Sequence, residues 1–389
     1  MEKFQKEFIG IVKAAFTGKA AEVSADFDWE RAINTARVHN IAAILYYGAV
    51  NSGIGEEETY MQQLQQMTLH SSVLSLRQSY EIEQIEAAFA AENIEYMPLK
   101  GTVLKTIYPL PEMRTMGDAD ILIKLEQYPQ IQAIMERLQF TFKNETDHEL
   151  VWKKPTLFLE LHKSIMTTYN KDFYGYFGTG WGLAKPVPGT TKYEMTAEDF
   201  YLYAFVHFTK HYRISGIGIK HLLDLWVYAE AKPELDWAYI RQELDKMHLL
   251  KFFENIKMTA DVWFCDAAQT DVTDLITSVI FNSGQYGSAE QAIINRSLQY
   301  GQKTASQMRV NRAIKFVFLP YPAMTRKYAV LKKAPVLLPV MWVVRWFGIL
   351  SPKRKRMKNY FEQVQEIDAA QIQENKQALD MVGLEFHNE

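Results

Sequence analysis

Three carboxylates in this chain are spaced for chemistry. Asp118 and Asp120 flank Ala119 at the start of the apolar run Ile121-Leu122-Ile123. A strand alternates faces with period two, so both aspartates point the same way, their Cα atoms roughly 6.8 Å apart. Carboxylates presented like that suit one or two Mg²⁺ ions, or Mn²⁺ in their place, since these cations take oxygen ligands. Further on, Leu157-Phe158-Leu159-Glu160-Leu161-His162 sends three leucines to one face and puts Glu160 and His162 on the other. A strand that buries leucines and presents an acid is a site strand, and Glu160 is the third candidate acid. The expected catalytic and metal-holding set is Asp118, Asp120 and Glu160.

A phosphate grip stands upstream. Lys100-Gly101-Thr102 lies between the strand-like Ile94–Leu99 and a helix-like stretch over 101–108. Glycine lets backbone approach a ligand, and the free N–H groups of a helix start favour an anion. Lys100 and Arg114 add positive charge for the same phosphates. Phosphate grip plus metal carboxylates is the equipment of phosphoryl or nucleotidyl transfer.

These residues carry a family resemblance. The order Leu99-Lys100-Gly101, Tyr108-Pro109, Arg114, Asp118-x-Asp120 and Glu160-Leu161-His162 resembles the nucleotidyltransferase superfamily, whose core is like that of DNA polymerase beta. More narrowly it is similar to a group of bacterial proteins known only as nucleotidyltransferases, over most of the chain. The sequence departs from the superfamily signature in having Thr102 where Ser or Gly is usual, and in a longer gap to Asp118 that holds Pro109, Pro111 and Arg114. The resemblance implies Mg²⁺-dependent transfer of a nucleoside monophosphate from an NTP, ATP by default, to an acceptor hydroxyl on a small molecule, protein or RNA. Pyrophosphate leaves. It also implies nucleotide contacts from Lys100, Gly101, Thr102 and Arg114. The narrower group shares a His-x-x-Lys-His segment and a following Asp, here His207, Lys210, His211 and Asp224. These either face the nucleotide or pair structurally between helices. Spacing alone does not make them a zinc site, because His207 and His211 lack an intervening Glu and a third ligand. A silent nucleotide-binding regulator and a membrane-peripheral scaffold are the competing functional readings.

The elements that must position these groups follow from periodicity. Residues 1–92 read as helices, ending in one long helix over 58–92 with Leu64, Met67, Leu74, Ile82, Ile85 and Phe89 on its apolar side. His39 reads as a core or cap histidine. Residues 93–192 form the nucleotidyltransferase-like α/β core, with strands at 94–99, 118–125, 139–143, 148–154 and 156–163, and a helix over 127–139. Its final part, 166–192, is rich in Gly and Pro and reads as a loop or linker, one that could lie over the site, with Tyr169 and Asn170 among its residues. Residues 193–310 return to helix after a capping sequence at Thr196–Asp199. Residues 311–389 are a C-terminal helical extension. The expected fold class is α+β, a small mixed sheet embedded in mostly helical N- and C-terminal regions.

Composition bounds the partners. The chain has 389 residues, 48% hydrophobic and 23% charged, with a formal net charge of −3. That is ordinary globular composition with no overall basic character, and no basic-aromatic interleaving near the site points to nucleic acid. The single cysteine, Cys265, excludes an intrachain disulfide, permits a cytoplasmic location and reads as buried. The segment Ala334–Lys358 is apolar and then basic (Lys353–Arg356 and Lys358), with Trp342 and Trp346 in its apolar part. It is too short and interrupted for a span and reads as a packed helix, with contact at an anionic membrane surface as the alternative.

Overall fold

The structure, a computed structural model, describes residues 1–55, 58–167, 171–284, 318–328, 330–349 and 369–384, with residues 295 and 314 besides. The chain divides into two units, Met1–His211 with Ile217–Tyr286, and Tyr212–Gly216 with Gly287–Glu389.

In the first unit the helices α1 (Lys3–Thr17), α2 (Trp29–Val38), α3 (Ala42–Asn51) and the 33-residue α4 (Thr59–Ala91) lead into a five-stranded sheet. Its strands are β1 (Tyr96–Leu99), β2 (Asp118–Ile123), β3 (Thr141–Glu145), β4 (Glu149–Lys153) and β5 (Phe158–His162), in spatial order β1-β2-β5-β4-β3. Strands β2 and β5 run parallel, while the β1–β2, β4–β5 and β3–β4 pairs are antiparallel, so the sheet is mixed. This is the α+β architecture expected from the sequence. The short links from β3 to β4 and from β4 to β5 need only turns. The parallel β2–β5 pair needs a crossover, and α6 (Tyr128–Arg137) with the β3–β4 hairpin supplies it.

Period-two alternation sorts the two faces. Ala119, Ile121 and Ile123 of β2 and Leu159 and Leu161 of β5 bury against Ile85 and Phe89 of α4 and Ile131, Ile134 and Met135 of α6, with Trp152 completing the cluster. Each such Ile, Leu or Phe contributes about 1.5–3 kcal/mol by leaving water. That packing fixes the sheet's register. It commits Asp118, Asp120, Glu160 and His162 to the opposite face, because a slip of one residue would exchange the sets.

That opposite face meets α8 (Ala197–Ser215) and α9 (Ile219–Ala231), which α10 (Trp237–Lys246), α11 (Leu250–Phe264) and α12 (Asp271–Ser283) support. Thr196 caps α8 through a hydrogen bond from the Asp199 N–H, 3.1 Å.

Three expectations are corrected. The helix expected over 101–108 is only α5 (Lys100–Leu104), continued by a 3-10 turn over Lys105–Ile107. The 166–192 stretch is not simply a loop. It holds α7 (Lys171–Phe177), whose Phe173 and Phe177 are buried, and a small hairpin of β6 (Lys185–Pro186) and β7 (Tyr193–Glu194). Tyr169 and Asn170 lie outside the described residues. Cys265 is exposed rather than buried, because α11 ends at Phe264 and the next residue falls beyond its packed face.

In the second unit, the helix Leu338–Ile349 packs Trp342 and Trp346 on Phe318, ring centroids 5.1 and 5.7 Å away. The Trp342 indole N–H donates to the Leu319 carbonyl, 2.8 Å. The basic residues Lys353–Arg356 and Lys358 lie outside the described residues. Among the described residues no helix is long and apolar enough to cross a membrane.

Candidate active site

Asp120 pairs directly with Glu160 across the parallel β2–β5 ladder, and Asp118 pairs with Phe158. All three acids line one cavity of about 290 Å³. Its other walls come from Lys100 and Gly101 of α5, from Arg114, and from His207, Lys210, His211, Lys220, His221 and Asp224 of α8 and α9. Ten of the eleven sequence-predicted site residues, the three acids among them, therefore share one cavity. Thr102 is the exception. It lines a second cavity of about 640 Å³ on the far side of α5, and its hydroxyl points at the Asp120 carbonyl oxygen, 3.4 Å away.

Asp120 is the hub. Its Oδ1 accepts from the Lys100 ammonium and from His162 Nε2, each at 2.7 Å. Burial alone would push the Asp120 carboxyl up, but the Lys100 and His162 charges outweigh it and hold the group below its ordinary range. Burial also opposes the Lys100 charge, and Asp120 again wins, raising the lysine. His162 is buried too. Burial and the Lys100 charge pull its pKa down, yet the hydrogen bonds to Asp120 and Glu160 raise it overall. Its Nε2 lies 3.6 Å from Glu160 Oε2. One ligand atom each from Asp120, Glu160 and His162 falls within 4.8 Å of the others.

Asp118 sits in the opposite electrostatic situation. Burial and the neighbouring charges of Asp120 and Glu160 push its carboxyl up to about 6. Like charges crowded on a half-buried wall are costly, and a divalent cation among these oxygens would reverse that cost. The donor set Asp120, Glu160 and His162 therefore fits a divalent ion, with two carboxylates as hard oxygen donors and one imidazole as a nitrogen donor, and Asp118 stands next to it on β2.

The left-handed backbone of the phosphate-grip segment belongs to Lys100, at φ 43°, not to Gly101. This turn aims the lysine chain back across the end of β1 at Asp120. A Cβ on Gly101 would meet Met116 and Arg114 only at 3.4–3.5 Å, ordinary contact. The five-residue α5 is a small source of helix dipole.

Arg114 does not present a free fork. Its Nε and Nη2 grip both oxygens of Asp224 at 2.6 and 2.9 Å, and Nη1 donates to the Thr115 carbonyl. Tyr108 adds a third donor to Asp224 Oδ1, 2.8 Å. Both residues edge the cavity, but their main contact is with each other.

The α8 and α9 wall is a buried cluster of bases. The His207 and His211 rings are 4.5 Å apart, as expected for residues one helical turn apart, and His221 follows at 6.5 Å from His211. Burial lowers all three, His211 to about 4, helped by the charges of Lys210 and Lys100. Burial also lowers Lys210 and brings Lys220 down to about 7, with Arg114 adding repulsion. Lys220, His221 and His162 were not among the expected site residues. His162 could have been found from its place two residues past Glu160. Lys220 could have been found one helical turn before Asp224.

A family model described as uncharacterised nucleotidyltransferase matches residues 25–265. The chain belongs to that nucleotidyltransferase family. The match includes the sheet, the acids and the α8 and α9 wall. Among solved structures, the antibiotic-resistance factor ANT(2'')-Ia is similar at 14% identity with a TM-score of 0.32, over 48% of this chain and 95% of that one. No curated protein matches.

Proposed function

We propose that this cavity transfers a nucleoside monophosphate from an NTP to an acceptor hydroxyl. The observation that carries the reading is the convergence of Asp118, Asp120 and Glu160 on one small wall, opposite a wall of lysines and histidines. Acids there suit a metal; bases opposite suit a polyphosphate. At about 290 Å³ the cavity is at the small end of ligand sites, a size for the reacting phosphates more than for a whole nucleotide.

In this reading the acceptor oxygen attacks the α-phosphorus, the bond to the bridging oxygen breaks, and pyrophosphate leaves. Asp118, Asp120 and Glu160 would hold Mg²⁺ or Mn²⁺, which when bound neutralises phosphate charge and stabilises the leaving group. Glu160, the least buried of the Asp120, Glu160 and His162 group, either completes that metal site or accepts the acceptor's proton. Lys210 and Lys220 face the phosphates. The neutral histidines donate hydrogen bonds without adding fixed charge. Arg114 and Asp224 hold α9 in place against the acids.

The test is pyrophosphate release with ATP, CTP, GTP and UTP in turn, with Mg²⁺ or Mn²⁺ and cell extract as the source of acceptor. The wild type is compared with Asp118→Asn, Asp120→Asn. Release that needs both aspartates names the nucleotide and supports transfer. A second reading rests on the Lys100–Asp120 contact, in which an ammonium already satisfies a metal-binding carboxylate. It makes the chain a nucleotide-binding regulator, and it predicts nucleotide binding with no release.

A further inference from the structure

The second cavity, of about 640 Å³, has more than twice the volume of the one that holds the acids. The helix α5 stands between them. Lys100, Gly101 and Leu104 line the first cavity, Thr102, Val103 and Lys105 line the second, and Met116 lines both.

Lys105 is the residue that calls for a ligand. It stands where α5 passes into its 3-10 turn and is only 8% exposed. Among the described residues its ammonium makes one long hydrogen bond, 3.4 Å, to the Ser75 carbonyl of α4, and no carboxylate pairs with it. The hydroxyl of that same serine is buried with no partner. Glu112 attracts the ammonium from a distance, but its carboxylate accepts from the Tyr47 hydroxyl at 2.6 Å. Burial, and then repulsion by Arg114, bring the lysine down to about 8. A buried cation without a counter-ion is costly, and an anion against it would remove that cost.

The acids on this cavity are shallower. Glu83 and Glu194 are exposed, and Glu86 faces Lys192 at 3.6 Å. Much of the wall is apolar. Val103 and Ile107 come from α5 and its turn, while Phe200 and Tyr228, whose rings stack at 5.0 Å, come from α8 and α9. Apolar walls with a few placed polar groups are the usual make-up of a small-molecule pocket, and about 640 Å³ is an ordinary size for one.

We propose that the cavity behind α5 binds a small organic anion, its acid group on Lys105 and its apolar body against Val103, Ile107, Phe200 and Tyr228. A neutral apolar guest would match the walls but leave the lysine unmatched. A cation would meet the acids at the rim but be repelled by Lys105. The site is separate from the acids that face Lys100, and the proposal is independent of any transfer chemistry.

The experiment is calorimetric titration of the full-length protein with benzoate, with phenyl phosphate and with the neutral benzyl alcohol. Wild type binds at least one of the two anions, and the tighter one names the acid group. Lys105→Met weakens that binding at least about 10-fold, as for loss of a hydrogen bond to a charged group. Its thermal unfolding midpoint stays at or above that of wild type, because an unmatched buried charge is gone. Val103→Trp fills the cavity, keeps the lysine and also blocks the anion. Lys210→Gln, on the wall opposite the acids, leaves this binding unchanged. The proposal is overturned if neither anion binds wild type, if benzyl alcohol binds as tightly as the anions, or if binding survives Lys105→Met or Val103→Trp. Loss of binding in Lys210→Gln alone would place the anion in the first cavity and overturn it too. A lower midpoint for Lys105→Met would mean that the lysine is already satisfied within the fold, with the same consequence.

Discussion

Arg114 and Asp224 form a two-pronged ion pair, 2.6 and 2.9 Å, that ties the segment before β2 to the middle of α9. Both side chains are buried, and Tyr108 shares the carboxylate. The tie sets α9, which carries two of the bases, opposite the three acids across the cavity.

Removing one partner strands the other. Asp224→Asn should therefore lower the unfolding free energy by about 3–5 kcal/mol, as for other broken buried ion pairs. Arg114→Met, Asp224→Leu should lose much less, since it leaves no buried charge. Chemical denaturation of the single and double variants would check this. Equal losses would mean that the pair is not desolvated.

Asp118 should make the fold more stable at acid pH than at neutral pH. Its folded pKa of about 6 is above the ordinary 3.8, so its contribution is fully present below 3.8 and is lost as pH rises through 6. Asp118→Asn should stabilise the metal-free protein at pH 7.5 by roughly 2 kcal/mol, with no gain near pH 3.5. Unfolding midpoints across pH would show it. A destabilised variant at pH 7.5 would mean that Asp118 is satisfied by a cation or donor.

His39 should have the opposite sign. The Ile219 N–H donates to its Nδ1, 3.2 Å, so Nε2–H donates to the Phe281 carbonyl, 3.2 Å. An imidazolium could not accept from Ile219. Burial drops the pKa to about 4 from an ordinary 6.5, so stability is present above 6.5 and is lost as pH falls through 4. His207, His211 and His221 titrate in the same direction, so only a comparison isolates His39. His39→Gln should flatten the stability loss between pH 6.5 and 4 by on the order of 3 kcal/mol. Parallel curves for the two proteins would contradict this.

Lys100 competes with any cation for Asp120. Lys100→Met should tighten Mn²⁺ binding to the nucleotide-free protein at least ~10-fold, because one close positive charge is gone. Calorimetric titration would measure it. Weaker binding would instead make Lys100 the group that holds Asp120 in position.

The acids were legible because alternation is a strong local signal: leucines at 157, 159 and 161 leave only one face for Glu160 and His162. The other strands and α6 were legible from strand-like runs between turns and from helical periodicity. The length of α5 was not. Its pattern continues to Tyr108, but Tyr108 is drawn off to Asp224, 116 residues away, and no local rule encodes that pull. The fork of Arg114 was hidden likewise, since a lone arginine beside a phosphate motif has the same sequence whether it meets phosphate or Asp224. Cys265 was misjudged from its apolar neighbours, when one residue of helix length decided its exposure.

The parallel β2–β5 ladder also bears on how the protein is made. The hydrogen-bonded pair Asp120 and His162 are 42 residues apart in the chain, and everything between them must fold into a crossover before they meet. Non-local parallel pairing is slow, and it comes after local hairpins and helices. A chain still on the ribosome, with β5 unmade, exposes Asp118 and Asp120 on a bare strand without Glu160, and the α8 and α9 bases come later still. Glu160 therefore joins the two aspartates only once β5 has been made and paired, and the cavity closes only after the α8 and α9 bases have followed.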